Sequence, residues 1–377
     1  MRNDPGARFH WLRTVDESYQ RMQRSIVEAK SCVRLETYIY TATLVGEQFR
    51  DALTAAAARG IEVKVMIDAW GSMELPGNFW EPLDKTGGNL RSFNPLRLDR
   101  WSIRNHRKLL VCDDTVAYVG GFNIGSEFQG DGVAQGWYDL GIEVNGLLVQ
   151  ELAESFDRLF EIADFKPKRF ARLRKAVSRH RLSTPDGELV LSGPGRGRNY
   201  LKRSIMNDLS RASRIRIVSA YFLPILAIRR ALTRAARRGG QVQIILAGQS
   251  DVPLAQLAAR CLYLTFLKAG VEIYEYQPQI LHAKLLVLDD VVYVGSANLD
   301  RRSFYINYEL ALRLANPPLA AEGIAIFEQA RAHCRRVELS AWRESLTFWQ
   351  RLKQRWAFIL LGRLDTYIAQ QQLKYLR

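Results

Sequence analysis

The residue pattern with the clearest chemical meaning occurs twice in the 377-residue chain, once in each half. It consists of a histidine, a lysine two positions later and an aspartate five positions after the lysine. At about 5% usage each for Lys and Asp, one histidine meets this spacing by chance on the order of once in several hundred trials, so two chance matches are a poor explanation. The two sets are His106, Lys108 and Asp113, and His282, Lys284 and Asp289.

These residue types suit chemistry on a phosphodiester. A neutral imidazole can attack phosphorus and a protonated one can donate to the leaving oxygen, so two histidines can act as nucleophile and acid. Lysine holds a positive charge and has no acceptor atom, which suits the non-bridging oxygens of a five-coordinate transition state. Each motif leads into a glycine turn that ends in Asn123 or Asn298, and their amides suit the same oxygens. The two motifs are therefore predicted to be two halves of one site.

A pair of acidic residues follows the motifs at equivalent places. Asp139 and Glu309 each come directly after a tyrosine in matching stretches of the two halves. A histidine nucleophile needs one ring nitrogen held as N–H, and a buried carboxylate can do this. The alternative, in which both acids are ordinary carboxylates at strand ends, stays open. Asp113 and Asp289 are interpreted as structural members of their motifs rather than as groups that transfer protons.

The elements that must position these residues repeat in the same order in both halves. Alternation along a strand places the His and Lys of each motif on one face. Strands alternating with helices are typical of an α/β fold, and a repeat of this length indicates duplicated domains, assigned here as 1–190 and 191–377. The predicted elements are helix 15–30, strand 32–40, helix 46–59 and strand 63–68, then a helix to 212, strand 215–221, a helix to 238 and strand 242–246.

The motifs resemble those of the phospholipase D superfamily, and the resemblance covers nearly the whole chain. It implies an α/β fold of two similar phospholipase D-like α/β/α domains, each with a mixed β-sheet flanked by helices. These domains would be related by pseudo-two-fold symmetry, with one active site between them. It also implies that Glu309 orients His106 and that Asp139 orients His282. Stretches that look like bacterial cardiolipin synthases, in their short form without N-terminal transmembrane helices, are 36–40, 57–63, 68–72, 221–224, 269–276 and 295–304.

The resemblance implies a phosphatidyltransferase. His106 would attack the phosphorus of phosphatidylglycerol while His282 protonates the departing glycerol, and a second phosphatidylglycerol would accept the group to give cardiolipin. A hydrolytic phospholipase D and a nucleic-acid phosphodiesterase or nucleic-acid-binding protein are the alternatives. No cofactor and no metal are expected, because lysines stand where a magnesium site would have clustered carboxylates. Aromatic residues near the motifs favour a lipid substrate: Trp101, Phe122, Phe128, Trp137, Phe304 and Tyr305.

The net charge of +15 indicates a polyanionic partner. Nucleic acid and an anionic membrane surface both fit this charge, and the resemblance favours anionic phospholipid with no nucleic acid. No stretch reaches the roughly 18 apolar residues of a membrane span, and no signal peptide is evident. The four widely spaced cysteines indicate reduced thiols. We therefore expect a cytoplasmic protein that associates peripherally with the inner face of the bacterial cell membrane.

Three further segments each have two interpretations. Residues 126–136 form either a plain connection or a mobile loop beside the site. The Arg-rich stretch 166–181 is either a solvated helix face or a contact for anionic lipid. The C-terminal helix either packs on the protein's own core or binds the membrane interface. Its apolar face contains Trp349, Leu352, Trp356, Ile359, Leu360 and Leu364.

Overall fold

The computed structural model describes residues 8–95, 102–163, 181–194 and 199–364. Trp101 and nearly all of the Arg-rich stretch 166–181 lie outside the described residues. The described part contains two mixed β-sheets, each with helices packed on both faces. The α/β class and the pair of similar helix-flanked mixed sheets are confirmed.

The first sheet has seven strands. Its strands are β1 (Phe9–Leu12), β2 (Cys32–Thr37), β3 (Glu62–Asp68), β4 (Asn89–Phe93), β5 (Leu109–Cys112), β6 (Val116–Gly120) and β7 (Gly141–Asn145). Their order across the sheet is β1-β7-β6-β5-β2-β3-β4, with β2, β3 and β4 parallel. The accompanying helices are α1 (Val15–Glu28), α2 (Leu44–Ala58), α3 (Glu81–Lys85) and α4 (Leu147–Phe160).

The second sheet has nine strands. Its strands are β8 (Arg181–Thr184), β9 (Gly187–Ser192), β10 (Arg214–Ser219), β11 (Gln241–Ala247), β12 (Glu272–Tyr276), β13 (Lys284–Leu288), β14 (Val291–Gly295), β15 (Glu309–Ala315) and β16 (Cys334–Arg336). Their order is β16-β12-β11-β10-β13-β14-β15-β9-β8. The accompanying helices are α5 (Tyr200–Arg211), α6 (Leu226–Arg237), α7 (Pro253–Arg260), α8 (Tyr263–Leu267), α9 (Arg301–Tyr305), α10 (Pro317–Ala332), α11 (Leu339–Ser345) and α12 (Phe348–Ile359).

Seven strands of each sheet follow the same order. The sequence β1-β7-β6-β5-β2-β3-β4 in the first sheet corresponds to β9-β15-β14-β13-β10-β11-β12 in the second. The second sheet is extended by β8, which pairs with β9, and by β16, which pairs with β12. The predicted boundary between residues 190 and 191 therefore falls inside β9, and the second sheet already begins at β8.

Two predicted strands end earlier than expected, and for the same local reason. Strands 32–40 and 215–221 were expected, whereas β2 ends at Thr37 and β10 ends at Ser219. In both places the hydroxyl of the last strand residue donates to the carbonyl two residues later, at Ile39 or at Tyr221. This bond turns the backbone out of the sheet, and it directs the following residues towards the space between the two halves.

An apolar core shared by both halves lies between the two sheets. Helix α4 from the first half and helix α10 from the second contribute to it, together with side chains from both sheets. Two further cores lie on the outer faces, one against α1 and α2 and the other against α5 and α6. Because one core holds residues of both halves, the two sheets keep a fixed position relative to each other.

Candidate active site

The two histidine motifs meet at the junction of the halves. His106 comes just before β5 and His282 just before β13, so the histidines precede the strands rather than lying within them. The backbone N–H of His106 donates to the carbonyl of Tyr308 at 2.9 Å, and that of His282 donates to the carbonyl of Tyr138 at 2.8 Å. Each motif is thus hydrogen-bonded to the opposite half. Both histidines line one cleft of about 470 Å³.

Each histidine contacts a carboxylate from the other half. Nδ1 of His106 lies 3.1 Å from Oε2 of Glu309, and Nδ1 of His282 lies 2.6 Å from Oδ2 of Asp139. All four side chains are buried. An ionised carboxylate can only accept, so each Nδ1 must donate and the other ring nitrogen presents its lone pair. These contacts join the same residues that the resemblance paired, and their roles in catalysis stay predictions.

The two carboxylates are held in different ways. Glu309 accepts hydrogen bonds from the hydroxyls of Ser296 at 2.6 Å and Ser303 at 2.8 Å. Asp139 accepts from the backbone N–H of Leu140 at 2.8 Å. Gly121 occupies the position equivalent to Ser296, and a Cβ there would lie 2.2 Å from Oδ1 of Asp139. The first half therefore combines a short acid with a glycine, and the second combines a longer acid with a serine.

Burial and surrounding charge lower the pKa values of both histidines. Burial lowers the pKa of His106 to about 4, although the charge of Glu309 opposes this shift. For His282, burial and then the charge of Lys284 lower the pKa. Both imidazoles are therefore neutral at pH 7 in the free protein, as a nucleophile must be.

The motif lysines lie directly behind the histidines and are almost fully buried. Nζ of Lys108 donates to the carbonyl of His106 at 2.8 Å, and Nζ of Lys284 donates to the carbonyl of His282. Burial, followed by the charge of Lys284, lowers the pKa of Lys108 to about 7, and burial also lowers the pKa of Lys284. Two ammonium groups that repel each other in a buried site would be stabilised by an anion such as a phosphate.

The two turn asparagines also line the cleft. The side-chain oxygen of Asn123 accepts from the N–H of Ile39 at 3.1 Å, and that of Asn298 accepts from the N–H of Tyr221 at 3.4 Å. Nδ2 of Asn123 is buried and has no hydrogen-bond partner. A buried amide donor without a partner is costly, and a phosphate oxygen in the cleft would satisfy it.

The motif aspartates lie at the far ends of their strands, outside the residues that line the cleft. Asp113 accepts from the backbone N–H groups of Lys30, Ser31 and Cys32. Asp289 accepts from the corresponding backbone groups of 213 and 214. These contacts join the strand of each motif to the start of the neighbouring central strand, and the structural role of both residues stays a prediction.

Several charged and polar residues of the cleft were not assigned a role from the sequence. Five of them come from loops whose position depends on the fold. Residues 300–302 follow the turn asparagine Asn298 within four positions, and this closeness could have indicated them. Burial raises the pKa of Asp300 to about 6. Tyr221 donates to Asp251 at 2.6 Å at the mouth of the cleft. The residues in question are Arg104, Tyr221, Asp251, Asp300, Arg301, Arg302 and Asn307.

The aromatic residues near the motifs divide between core and cleft. Trp137 lines the cleft, with its ring centroid 5.3 Å from that of His282. Phe122, Phe128 and Phe304 are buried in the outer cores. Tyr305 packs beside Lys202. Core packing therefore accounts for Phe122 and Phe304, whereas Trp137 lines the cleft and Phe128 also lies beside His282, with ring centroids 6.2 Å apart.

Residues 126–136, expected to be a plain connection or a mobile loop, are bound to the other half. The hydroxyl of Tyr276 donates to the carbonyl of Gly132 at 2.6 Å, and Gln279 donates to the carbonyl of Ala134 at 3.1 Å. Asp131 accepts from the N–H groups of Val133 and Ala134. The segment thus forms part of the junction between the halves.

The apolar face of the C-terminal helix is exposed to solvent. Trp349 is 67% exposed and Trp356 is 59% exposed, and Leu352 and Ile359 are exposed beside them. The helix packs on α7 through its opposite face, where Ala357 is buried. The interpretation that the tryptophan face packs on the protein's own core is therefore wrong. The side chain of Leu364 lies outside the described residues.

Within the described ranges, no helix has the length and apolar character needed to cross a bilayer. The same ranges contain no group of three or more His, Cys, Asp or Glu side chains that could hold a metal ion. Metal-independent chemistry stays a prediction.

A family model and individual proteins of similar sequence both relate this chain to cardiolipin synthases. A family model described as "Cardiolipin synthase, PLD-like domain" matches residues 22–160 and 205–331. The major cardiolipin synthase ClsA of Bacillus subtilis is 32% identical over 325 residues, which is 83% of this chain and 66% of that protein. Cardiolipin synthase B of Escherichia coli is 31% identical over 317 residues, which is 81% of this chain and 75% of that protein.

Among solved structures, the phosphatidylserine synthase of Haemophilus influenzae matches with a TM-score of 0.78. The match covers 96% of this chain and 95% of that one at 15% sequence identity. At this identity the likeness bears on the fold alone.

Proposed function

The chain belongs to the phospholipase D-like cardiolipin synthase family, and we propose that it is a phosphatidyltransferase that makes cardiolipin from two molecules of phosphatidylglycerol. The observation that carries this proposal is the pair of histidines in one cleft, each held by a carboxylate from the opposite half. Relatives named cardiolipin synthase support the choice of substrate and product.

In the first step, Nε2 of His106 attacks the phosphorus of phosphatidylglycerol. The new P–N bond forms as the bond between phosphorus and the glycerol oxygen breaks. His282 takes up a proton from solvent when the anionic phosphodiester binds beside it, and it donates that proton to the glycerol oxygen. Glu309 stabilises the positive charge that develops on the His106 ring. A phosphatidyl group is then attached to His106 and free glycerol leaves.

In the second step, neutral His282 takes the proton of a hydroxyl of a second phosphatidylglycerol. The hydroxyl oxygen attacks phosphorus, the P–N bond breaks and His106 becomes neutral again, with cardiolipin as the product. Lys108, Lys284 and the amide of Asn123 stabilise the charge on the non-bridging oxygens in both steps.

Water must be kept from the intermediate, because water as acceptor would release phosphatidic acid instead. The cleft contains apolar side chains that favour lipid over water. They are Ile39, Trp70, Trp137, Leu223, Val252, Ala255 and Leu361. This lining supports a transferase over the hydrolytic alternative.

The place of action that we propose is the cytoplasmic surface of the cell membrane, reached by peripheral binding. The net charge of +15 and the exposed tryptophan face of α12 support binding to an anionic lipid surface. We propose no nucleic-acid partner.

Product analysis tests the proposal. The purified protein is incubated with phosphatidylglycerol vesicles and, separately, with labelled DNA. We expect cardiolipin and glycerol in equal amounts, and the same yield in excess EDTA. Phosphatidic acid as the sole lipid product would indicate a hydrolase, cleaved DNA would indicate a nuclease, and a loss in EDTA that only Mg²⁺ restores would refute the metal-independent mechanism.

A further inference from the structure

The proposed reaction requires the cleft to bind a second lipid, which hydrolysis does not require. An acceptor phosphatidylglycerol brings its own phosphate, so the protein must hold a second anion close to the phosphorus that reacts. Cardiolipin carries two phosphates joined through one glycerol, and the second anion site must therefore lie about one glycerol away from the histidines. This inference rests on the proposed function and concerns the acceptor lipid.

Two arginines of the second half have a buried Nε without a hydrogen-bond partner. Arg301 is the first residue of α9 and lines the cleft, and Arg229 lies on α6. Within the described ranges, no carboxylate forms an ion pair with either guanidinium. Most buried or half-buried arginines pair with an acid, so this pair needs another anion.

The positive charge of Arg301 acts on Arg229. Burial, followed by the charge of Arg301, lowers the pKa of Arg229. The Arg229 guanidinium lies 5.4 Å from the centre of the Phe358 ring on α12, and Leu361, three residues further along the chain, lines the cleft. Arginine has a planar fork of N–H donors that matches the oxygens of a phosphate, so two adjacent forks form a strong phosphate site.

The basic pair belongs to one side of the cleft. The first half has Ser126 at the position that corresponds to Arg301, counted from the turn asparagines Asn123 and Asn298. The pseudo-two-fold symmetry that places two histidines in the centre is thus broken at the rim. An asymmetric rim suits a reaction in which donor and acceptor lipids take different positions.

We infer that Arg229 and Arg301 form a subsite for the phosphate of the acceptor lipid. The acceptor's free glycerol hydroxyls then point towards His282 and the reacting phosphorus. Its acyl chains leave past Leu361 and Val252, which line the cleft, towards the exposed tryptophan face of α12. Arg229 and Arg301 thus determine which alcohol accepts the phosphatidyl group.

Competition between two acceptors tests this subsite without interference from the donor. Phosphatidylglycerol vesicles are incubated with the protein in the presence of ethanol, and cardiolipin and phosphatidylethanol are measured together. Both products arise from the same phosphatidyl-histidine, so their ratio reports the acceptor step alone. Even a variant with little folded protein gives an interpretable ratio from the turnover that survives.

The expected result is a fall in the ratio of cardiolipin to phosphatidylethanol of about tenfold or more in Arg301→Gln and in Arg229→Gln, since a charge-assisted contact to phosphate is lost. Arg301→Lys keeps the charge and should retain most of the ratio. Arg237→Gln removes the same charge from an exposed position on α6 and should keep the wild-type ratio.

An unchanged ratio in both glutamine variants overturns the subsite. So does an equal fall in Arg237→Gln, because the effect would then come from net charge. A wild-type protein that makes phosphatidylethanol and phosphatidic acid but no cardiolipin refutes the proposed function itself. This outcome differs from the loss of the subsite alone, in which the wild-type protein still makes cardiolipin.

Discussion

At the scale of residues, the two carboxylates hold equivalent histidine rings in two different ways. Glu309 has one methylene more than Asp139, contacts His106 and accepts hydrogen bonds from Ser296 and Ser303. Asp139 contacts His282 and packs against Gly121, which stands where the second half has a serine. A side chain at Gly121, where the second half has Ser296, would collide with Asp139. The difference suits two distinct roles, with one ring as nucleophile and the other as acid and base.

The proposed mechanism needs both histidines and both lysines. His106→Ala and His282→Ala should each abolish turnover, since one phosphatidyl group and one proton must be passed on. Lys108→Ala and Lys284→Ala should each cost about 3 kcal/mol of transition-state stabilisation, as the loss of one oxyanion donor does. Initial rates of cardiolipin formation measure this. Near-normal rates in either histidine variant would disprove the two-histidine mechanism.

The contact between Glu309 and His106 predicts an effect on the covalent intermediate. In Glu309→Gln an amide can still accept the ring N–H but no longer compensates the imidazolium charge, so the intermediate should form more slowly. Rapid-quench trapping of acid-labile, alkali-stable phosphohistidine measures its rate. Ser210→Ala, at an exposed position on α5, is a suitable control. An unchanged rate would leave Glu309 with a structural role only.

The pKa values of the site predict different pH limits for the free protein and the complex. Lys108 has a pKa of about 7, so it loses its charge as the pH rises through neutrality and kcat/KM should fall. A bound phosphate raises the pKa of both lysines and of His282, so kcat should fall only at higher pH. His106, with a pKa of about 4, stays neutral down to about pH 4. Alkaline limits at the same pH for kcat and kcat/KM would contradict this electrostatic interpretation.

At the scale of elements, the sequence predicted which strands carry the motifs but not how the motifs meet. The order of helices and strands follows from local periodicity, and β5 and β13 have the expected apolar runs. The bonds from His106 to Tyr308 and from His282 to Tyr138 join residues that are far apart in the chain. Local patterns contain no information on such pairing, so the crossing of the acids was predicted only through the resemblance to a family.

The C-terminal helix α12 predicts a contact with lipid. Its exposed face holds Trp349 and Trp356, whose rings suit the boundary between head groups and acyl chains. Replacing both by Ser should reduce binding to phosphatidylglycerol vesicles without unfolding the protein, because neither side chain packs in the core. Flotation through a density gradient measures binding, and circular dichroism checks the fold. Full retention of the double variant on vesicles would show that this face does not contact lipid.

At the scale of the whole molecule, duplication explains what could be predicted and what could not. Two copies of one strand order imply a shared site, and the repeated motifs in the sequence indicate it directly. The predicted boundary falls inside β9, because β9 joins the second sheet through β15 in the way that β1 joins the first through β7, and the preceding strand β8 has no equivalent in the first sheet. The unpaired arginines were equally hidden, since charge alone does not show whether an arginine has a partner.

The net charge of +15 predicts how the whole protein reaches its substrate. Each basic residue near an anionic surface contributes roughly 1 kcal/mol, and salt screens this attraction within about 10 Å at 0.1 M. Arg351, Lys353 and Arg355 are exposed on the same helix α12 as Trp349 and Trp356, so basic residues and the tryptophan face should meet the membrane together. We expect reversible binding to phosphatidylglycerol vesicles that weakens as salt rises, and weak binding to neutral vesicles at any salt concentration. Equal flotation with neutral and anionic vesicles would refute the electrostatic contribution and leave the tryptophans as the sole attachment.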